Sequence, residues 1–200
     1  MTHRPAVLLL AMLGTALLLA VSADAQVPIV SGTSTAEPAD DPAFEGCWRY
    51  CFDISWTLPD HAMSHTSVFL DLAACTCVCD AGYFAFADTV GSGPGDGGCT
   101  VFYYGLFECD GDPHFPGLGP TVKFEPLETG CAPGRAGSLH ACFYSLLPPT
   151  EETEFDANLG VKYGLETATG ALIGVLPDCE CDMNPVERTR WGALKALYRE

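Results

Sequence analysis

The chain has 200 residues, in which 9 Lys and Arg face 26 Asp and Glu, so that the net charge is −17. Such an acidic surface repels phosphate backbones, whose binding proteins use clustered Lys and Arg, and nucleic acid is therefore excluded as a partner. The length is sufficient for one domain of ordinary size with its own hydrophobic core.

Residues 1–25 are typical of a secretory signal peptide. His3 and Arg4 form a short basic start, residues 6–21 are an unbroken apolar run, and Ala23-Asp24-Ala25 offers a cleavage site between small residues. No later run of ~20 apolar residues indicates a membrane span. We therefore expect a secreted or periplasmic protein that has no transmembrane segment once the signal is removed.

Residues 26–46 combine Pro, Ser, Thr, Ala and Asp without a clear period. This composition is typical of a solvated segment that cannot bury enough apolar surface to fold alone. We interpret it as a flexible linker that precedes the folded domain.

A strand pattern of period two opens the folded region. Large apolar side chains alternate with smaller or polar ones at Trp48, Tyr50, Phe52, Ile54 and Trp56. Similar runs occur at 66–79, 83–87, 99–107, 121–127, 138–147, 160–165 and 171–176, with Gly, Pro and Asp between them. About eight short strands without intervening helices predict an all-β fold, and we expect an antiparallel β-sandwich over residues 47–183.

The last segment, residues 184–200, has the pattern of a short basic amphipathic helix. Asn184 can cap it, Pro185 suits its first position, and Trp191, Leu194 and Tyr198 share one stripe. It either packs on the β-sandwich or serves as an export or attachment tag.

Cysteine is unusually frequent in this chain. The eleven cysteines are Cys47, Cys51, Cys75, Cys77, Cys79, Cys99, Cys109, Cys131, Cys142, Cys179 and Cys181. In an exported chain they predict a disulfide framework, with thiolate metal binding as the alternative. Pairing of the segment 75–79 with the segment 179–181 is geometrically attractive, and the odd count leaves at least one cysteine over.

Two further patterns are candidates for metal binding. His61 and His65 are four residues apart, but Pro59 and Asp60 precede them, and we expect ordinary loop or strand histidines. Carboxylates in Gly-rich segments suit calcium, which is the one candidate cofactor. The calcium candidates are Asp88, Asp96, Asp110 and Asp112.

No motif assigns a catalytic residue. A Gly-x-Ser-x-Gly elbow is absent from the sequence, and Gly91-Ser92-Gly93 stands in a Gly-rich loop. We expect binding to use the long loops at 88–99 and 110–120, because a rigid scaffold presents such segments to partners.

Several short stretches carry a family resemblance. Ser64-His65 before an apolar strand, residues 122–125, residues 161–164, residues 174–179 and the ending 189–199 resemble an uncharacterised group of exported bacterial β-rich proteins. The resemblance implies an envelope or extracellular setting and assigns no functional residue. We therefore predict a non-catalytic binding or structural module with a protein or glycan partner. The alternatives are a secreted glycan-acting hydrolase and a calcium-dependent carbohydrate-binding module.

Overall fold

Ten β-strands form one sheet within residues 27–72, 75, 78, 79 and 82–178, which are the residues that the computed structural model describes. In chain order they are β1 Ile29–Pro38, β2 Trp48–Thr57, β3 Met63–Phe69, β4 Phe84–Ala85, β5 Gly91–Pro94, β6 Thr100–Glu108, β7 Thr121–Pro126, β8 Ala136–Ser145, β9 Thr153–Tyr163 and β10 Glu166–Gly174. A one-turn 3-10 segment, Pro42–Phe44, lies between β1 and β2.

The sheet closes on itself as a barrel. Nine strands follow one another in the order β2-β1-β10-β9-β3-β7-β6-β5-β8, and β8 pairs again with β2, while the short β4 extends the sheet beside β8. The pair β1–β10 is parallel and all other neighbours are antiparallel. A closed ring with an odd number of strands needs such a parallel pair, because alternation of direction cannot be completed around it.

The predicted β-sandwich is therefore wrong, although the all-β class is correct. A sandwich needs two sheets with free edges, whereas β2 pairs over ten positions with β1 on one side and over ten positions with β8 on the other. Short strands without intervening helices, from which we predicted the sandwich, occur in both architectures.

The interior of the barrel is the hydrophobic core. The prediction that one face of β2 is buried is confirmed for Tyr50, Phe52, Ile54 and Trp56, which are at most 2% exposed, and Trp48 is half-buried. Tyr50 Oη donates to the Leu147 carbonyl at 2.9 Å, so the phenol keeps a hydrogen bond inside the core.

The predicted flexible linker contains a strand. Ile29–Pro38 form β1 and lie between β2 and β10. At Gly32 an added Cβ would lie 2.9 Å from the Asp53 carbonyl oxygen and 2.9 Å from a Leu159 methyl group. Small residues are needed here for close packing, which is why the segment lacks the apolar alternation that identifies β2.

The Gly-rich segment after Asp88 is also partly a strand. Gly91–Pro94 form β5, between β6 and β8. A Cβ at Gly91 or Gly93 would collide with the carbonyl oxygens of His140 and Ser138. The glycines thus allow two backbones to approach closely, instead of providing a flexible loop.

Three disulfides join described residues: Cys51–Cys142, Cys79–Cys109 and Cys99–Cys131. These pairs confirm the predicted disulfide framework in this part of the chain. The run 66–79 is not one strand, because β3 ends at Phe69, and the Cys79–Cys109 bond removes Cys79 from the pairing expected with 179–181. Cys77, Cys179 and Cys181 lie outside the described residues.

A C-terminal helix was part of the predicted fold, and the structure does not support it. Residues 27–72, 75, 78, 79 and 82–178 contain no α-helix, and the segment 184–200 lies outside them. In the same described part of the chain, no helix is long and apolar enough to cross a membrane.

Candidate functional site

A cluster of polar side chains lies on the outer surface of β3, β6 and β7. We call it the outer polar cluster, and its members are His65, Ser67, Tyr104, Glu108, Asp112, Lys123 and Glu125. The period of two explains this placement, because Val122 and Phe124 point into the core and Lys123 and Glu125 therefore point outward.

The connection between β6 and β7 covers part of this surface. Its Phe115 ring is buried and packs edge-on against Phe69, with ring centroids 5.1 Å apart. Both rings lie against Gly160, where a Cβ atom would collide with them. The Cys79–Cys109 disulfide holds the start of the same connection. Part of the cluster is therefore buried although it lies outside the barrel wall.

Asp112 is the centre of the buried half of the cluster. Its Oδ2 accepts from His65 Nε2 at 2.8 Å and from Ser67 Oγ at 2.7 Å, and its Oδ1 accepts from the His114 backbone N–H at 2.9 Å. Burial favours the neutral acid, but these three donors outweigh it and hold the pKa of Asp112 below its usual value. The carboxylate is thus charged and fully engaged with protein donors.

His65 is held neutral beside this carboxylate. Burial, together with the positive charge of Lys123, lowers its pKa to about 4 against the opposing effect of Asp112. Its ring also lies against the His114 ring, with centroids 5.4 Å apart. At neutral pH, His65 is therefore a hydrogen-bond donor to Asp112 and carries no charge.

The other half of the cluster is an ion pair with a phenol. Lys123 Nζ lies 2.8 Å from Glu125 Oε1 and 3.6 Å from Glu108 Oε1, and Tyr104 Oη donates to Glu125 Oε2. Burial lowers the pKa of Lys123, but its hydrogen bond to Glu125 and the nearby carboxylates raise it overall. For Glu125, burial is outweighed by Lys123 and Tyr104, so its pKa is lowered.

A pocket opens beside this ion pair. It has a volume of about 410 Å³ and is lined by Ser64, His65, Tyr104, Glu125, Pro126, Leu127 and Glu128. Its walls carry hydroxyl and carboxylate groups, with only two apolar residues among the seven. Such a lining suits a ligand that forms several hydrogen bonds.

The cluster contains Ser, His and Asp, but not in the order of a nucleophilic triad. Ser67 donates to Asp112 and not to His65, so the imidazole cannot take the proton of the hydroxyl. A glycoside hydrolase needs a carboxylic acid of raised pKa, whereas the pKa values of Asp112 and Glu125 are both lowered. The hydrogen bonds of the cluster therefore hold its polar side chains in place and fit neither of these two reactions.

The candidates for metal binding lie in different parts of the structure. His61 lies beside Gly164 in the β9–β10 turn, whereas His65 belongs to the outer polar cluster. Asp88, Asp96 and Asp110 are exposed, and Asp112 is buried and occupied by hydrogen bonds. Among the described residues, these four carboxylates do not form a group of three or more with ligand atoms within 4.8 Å of one another.

Among the described residues, one cluster contains three or more side chains of the types that bind metal ions. It consists of Cys51, His140 and Cys142, whose ligand atoms all lie within 4.8 Å of one another. Because Cys51 and Cys142 are bonded to each other, their sulfurs are not thiolates in this state.

The sequence indicated only parts of this site. Asp112 and the connection 110–120 were singled out, and His65 was examined as a metal ligand, but Tyr104, Lys123 and Glu125 were not assigned a role. The available signal was the spacing of two in Lys123 and Glu125, and in His65 and Ser67, which places each pair on one strand face.

The chain matches no protein-family model, no curated protein and no solved structure.

Proposed function

We propose that this protein is a non-catalytic binding module at or beyond the cell envelope, and that its pocket beside Tyr104 and Glu125 binds a glycan. The predicted signal peptide and the three disulfides support export, since disulfides persist in oxidising compartments. The closed barrel supports binding, because it holds five of the seven lining residues on paired strands.

The observation that carries this proposal is the pairing of the charged groups in the outer polar cluster: Asp112 accepts hydrogen bonds from His65 and Ser67, and Lys123 is paired with Glu125. General acid–base catalysis works best with groups whose pKa values lie near the operating pH. The pKa of His65 is about 4, the pKa values of Asp112 and Glu125 are lowered, and that of Lys123 is raised. These four groups therefore hold constant charges at neutral pH, which favours recognition over proton transfer.

The lining of the pocket favours a ligand rich in hydroxyl groups. Ser64, Tyr104, Glu125 and Glu128 offer hydroxyl and carboxylate oxygens, and the Lys123 ammonium is paired with Glu125. Anionic ligands are disfavoured by these carboxylates and by the net charge of −17. Sugars match this surface, because pairs of hydroxyls bind carboxylates and a ring face packs on tyrosine.

Isothermal titration calorimetry with neutral oligosaccharides of glucose, mannose, galactose and N-acetylglucosamine tests the proposal. We expect one of these series to bind, and Tyr104→Ala to weaken its affinity about tenfold or more, as loss of a central aromatic contact does. Glu151→Ala, an exposed carboxylate that does not line the pocket, is the control and should bind normally. The proposal fails if no series binds, or if Tyr104→Ala binds as tightly as the control.

A further inference from the structure

Four side chains with complementary chemistry meet on the outer surface where β2 and β8 close the barrel. The antiparallel register sets Cys51 directly opposite Cys142 and Asp53 directly opposite His140. The intervening residues, Phe52 and Ala141, point into the core. All four polar or sulfur-bearing side chains therefore lie on the same outer face, in two adjacent rows.

Asp53, His140 and Cys142 form a chain of contacts. His140 Nδ1 lies 2.8 Å from Asp53 Oδ1, and His140 Nε2 lies 3.7 Å from Cys142 Sγ. A carboxylate only accepts hydrogen bonds, so the Nδ1 atom carries a proton and the Nε2 atom faces the sulfur. This carboxylate–imidazole–sulfur order allows the imidazole to exchange a proton with that sulfur.

The disulfide in this group is accessible from solvent. Cys51 is half-buried, whereas Cys142 is 8% exposed, and both Asp53 and His140 are exposed. An incoming thiol therefore reaches Cys51 more readily, and Cys142, beside the imidazole, is the better placed leaving group.

The barrel does not depend on this bond for its closure. Backbone pairing between β2 and β8 runs without interruption over ten positions, from Trp48 opposite Ser145 to Thr57 opposite Ala136. Side chains of both strands, such as Phe52 and Phe143, also stack in the core with centroids 5.5 Å apart. Reduction of Cys51–Cys142 should therefore leave the strands paired.

We propose that Cys51–Cys142 is a redox-active disulfide that exchanges with external thiols, with His140 as its acid–base residue and Asp53 as a positioning residue. An external thiolate attacks Cys51 Sγ, the sulfur–sulfur bond breaks, and its electron pair leaves with Cys142 Sγ. His140 Nε2 takes up the proton lost by the attacking thiol and delivers it to Cys142. A second external thiol then attacks the mixed disulfide, frees Cys51, and leaves two thiols oxidised to one disulfide while the protein pair is reduced.

The Cys99–Cys131 disulfide provides an internal reference. Cys99 is exposed, yet its sulfur lies 3.1 Å from the backbone carbonyl oxygen of Asp96, and in the described part of the chain the pair belongs to no cluster with a histidine. Both disulfides belong to the same molecule and are exposed to the same external thiol. A difference in their exchange rates therefore reports on their surroundings.

The experiment uses reduced glutathione, acid quenching, differential alkylation and peptide mass spectrometry of the full exported protein. We expect Cys51–Cys142 to open at least about tenfold faster than Cys99–Cys131, because positioned proton transfer of this kind contributes such factors and more. The trapped mixed disulfide should be on Cys51. Circular dichroism should show that the reduced protein keeps its strand content.

His140→Asn should slow opening of Cys51–Cys142 about tenfold and leave Cys99–Cys131 unchanged. His61→Asn, which removes an exposed histidine from the connection between β2 and β3, is the matched control and should have no effect at either pair. Asp53→Asn should slow the same step, and Asp53→Glu should restore it, which a merely structural role of Asp53 would not produce.

Two results would overturn the proposal. One is a wild-type Cys51–Cys142 bond that opens no faster than Cys99–Cys131. The other is a folded His140→Asn variant whose Cys51–Cys142 bond opens at the wild-type rate. Should His140→Asn fail to fold, the comparison of the two disulfides in the wild-type protein and the sulfur on which glutathione is trapped still decide the question.

Discussion

His65 Nε2 lies 2.8 Å from Asp112 Oδ2, and this hydrogen bond joins strand β3 to the connection between β6 and β7. Both side chains are nearly inaccessible, with 5% of His65 and none of Asp112 exposed. A segment that sequence patterns assign to a solvated loop is thus fixed to the barrel by a buried carboxylate. The pocket depends on this attachment, because His65 is part of its lining.

Removal of the Asp112 carboxylate should destabilise the protein strongly. Asp112→Ala leaves His65 Nε2, Ser67 Oγ and the His114 N–H without their acceptor, and unpaired buried donors of this kind cost about 3 kcal/mol or more together. Urea denaturation at pH 7 measures the loss. Asp110→Ala, at an exposed carboxylate two residues earlier, should change the free energy of unfolding by less than about 0.5 kcal/mol. Equal effects of the two substitutions would contradict the role given to Asp112.

Stability should fall as the pH is lowered from 6.5 to 4, and His65 should account for much of that fall. The folded-state pKa of His65, about 4, is below its ordinary value of 6.5, so the unfolded chain takes up the proton first and is favoured in this interval. The shift corresponds to about 3 kcal/mol of unfolding free energy, present above pH 6.5 and lost by pH 4.

The matched variant for this pH effect is His65→Gln, whose amide can still donate to Asp112 but does not titrate. Its unfolding free energy should decrease less than that of the wild type over the same interval. Parallel pH curves for the two proteins, measured by urea denaturation, would show that the protonation of His65 is not coupled to folding.

Two buried tyrosines should respond differently to loss of their hydroxyl groups. Tyr50 Oη donates to the Leu147 carbonyl at 2.9 Å, whereas Tyr103 Oη is buried and has no hydrogen-bond partner among the described residues. Tyr50→Phe should therefore cost about 1–2 kcal/mol, and Tyr103→Phe should be neutral or stabilising. Thermal and urea unfolding of the two variants provide the comparison. A cost for Tyr103→Phe as large as that for Tyr50→Phe would contradict it.

The glycines of β5 should be intolerant of a single methyl group. A Cβ at Gly93 would collide with the Ser138 carbonyl oxygen of β8, so Gly93→Ala should force the two strands apart and cost about 1–3 kcal/mol. Ser92→Ala, in the same strand, is the control and should be nearly neutral. A Gly93→Ala variant as stable as Ser92→Ala would mean that β5 does not pack closely on β8.

The elements that could be predicted are those whose signal is local. The alternation from Trp48 to Trp56 identifies β2 because its own residues carry the pattern of a buried face. Barrel closure is different, since it depends on the pairing of β2 with β8, about 90 residues later, and Cys51 and Cys142 are 91 residues apart. A sandwich and a barrel share the same local alternation, so the sequence pattern did not distinguish them.

The strands that were missed are held by their neighbours. β1 contains Gly32 and small polar residues because it lies between β2 and β10, and β5 is built around Gly91 and Gly93 because of its contact with β8. Their composition reflects the space available, and this space is set by residues far away in the sequence. Propensity alone therefore indicates a linker or a loop at both places.

The candidate site was predictable only in fragments for a related reason. His65, Asp112 and Lys123 come from β3, a connection and β7, and each is an ordinary polar residue in its own segment. Their common surface exists only after the strand order brings β3, β7 and β6 together. Local sequence patterns do not report this order.

The central claim is that the pocket binds a glycan and leaves it intact. The most direct measurement is a nuclear magnetic resonance titration of the isotope-labelled protein with the oligosaccharide that binds in calorimetry, followed by analysis of the sugar. We predict that the largest amide shifts occur at Ser64, Tyr104, Glu125 and Glu128, and that the oligosaccharide is recovered at its original length. Shifts confined to another surface, or the accumulation of shortened sugar chains, would contradict the account.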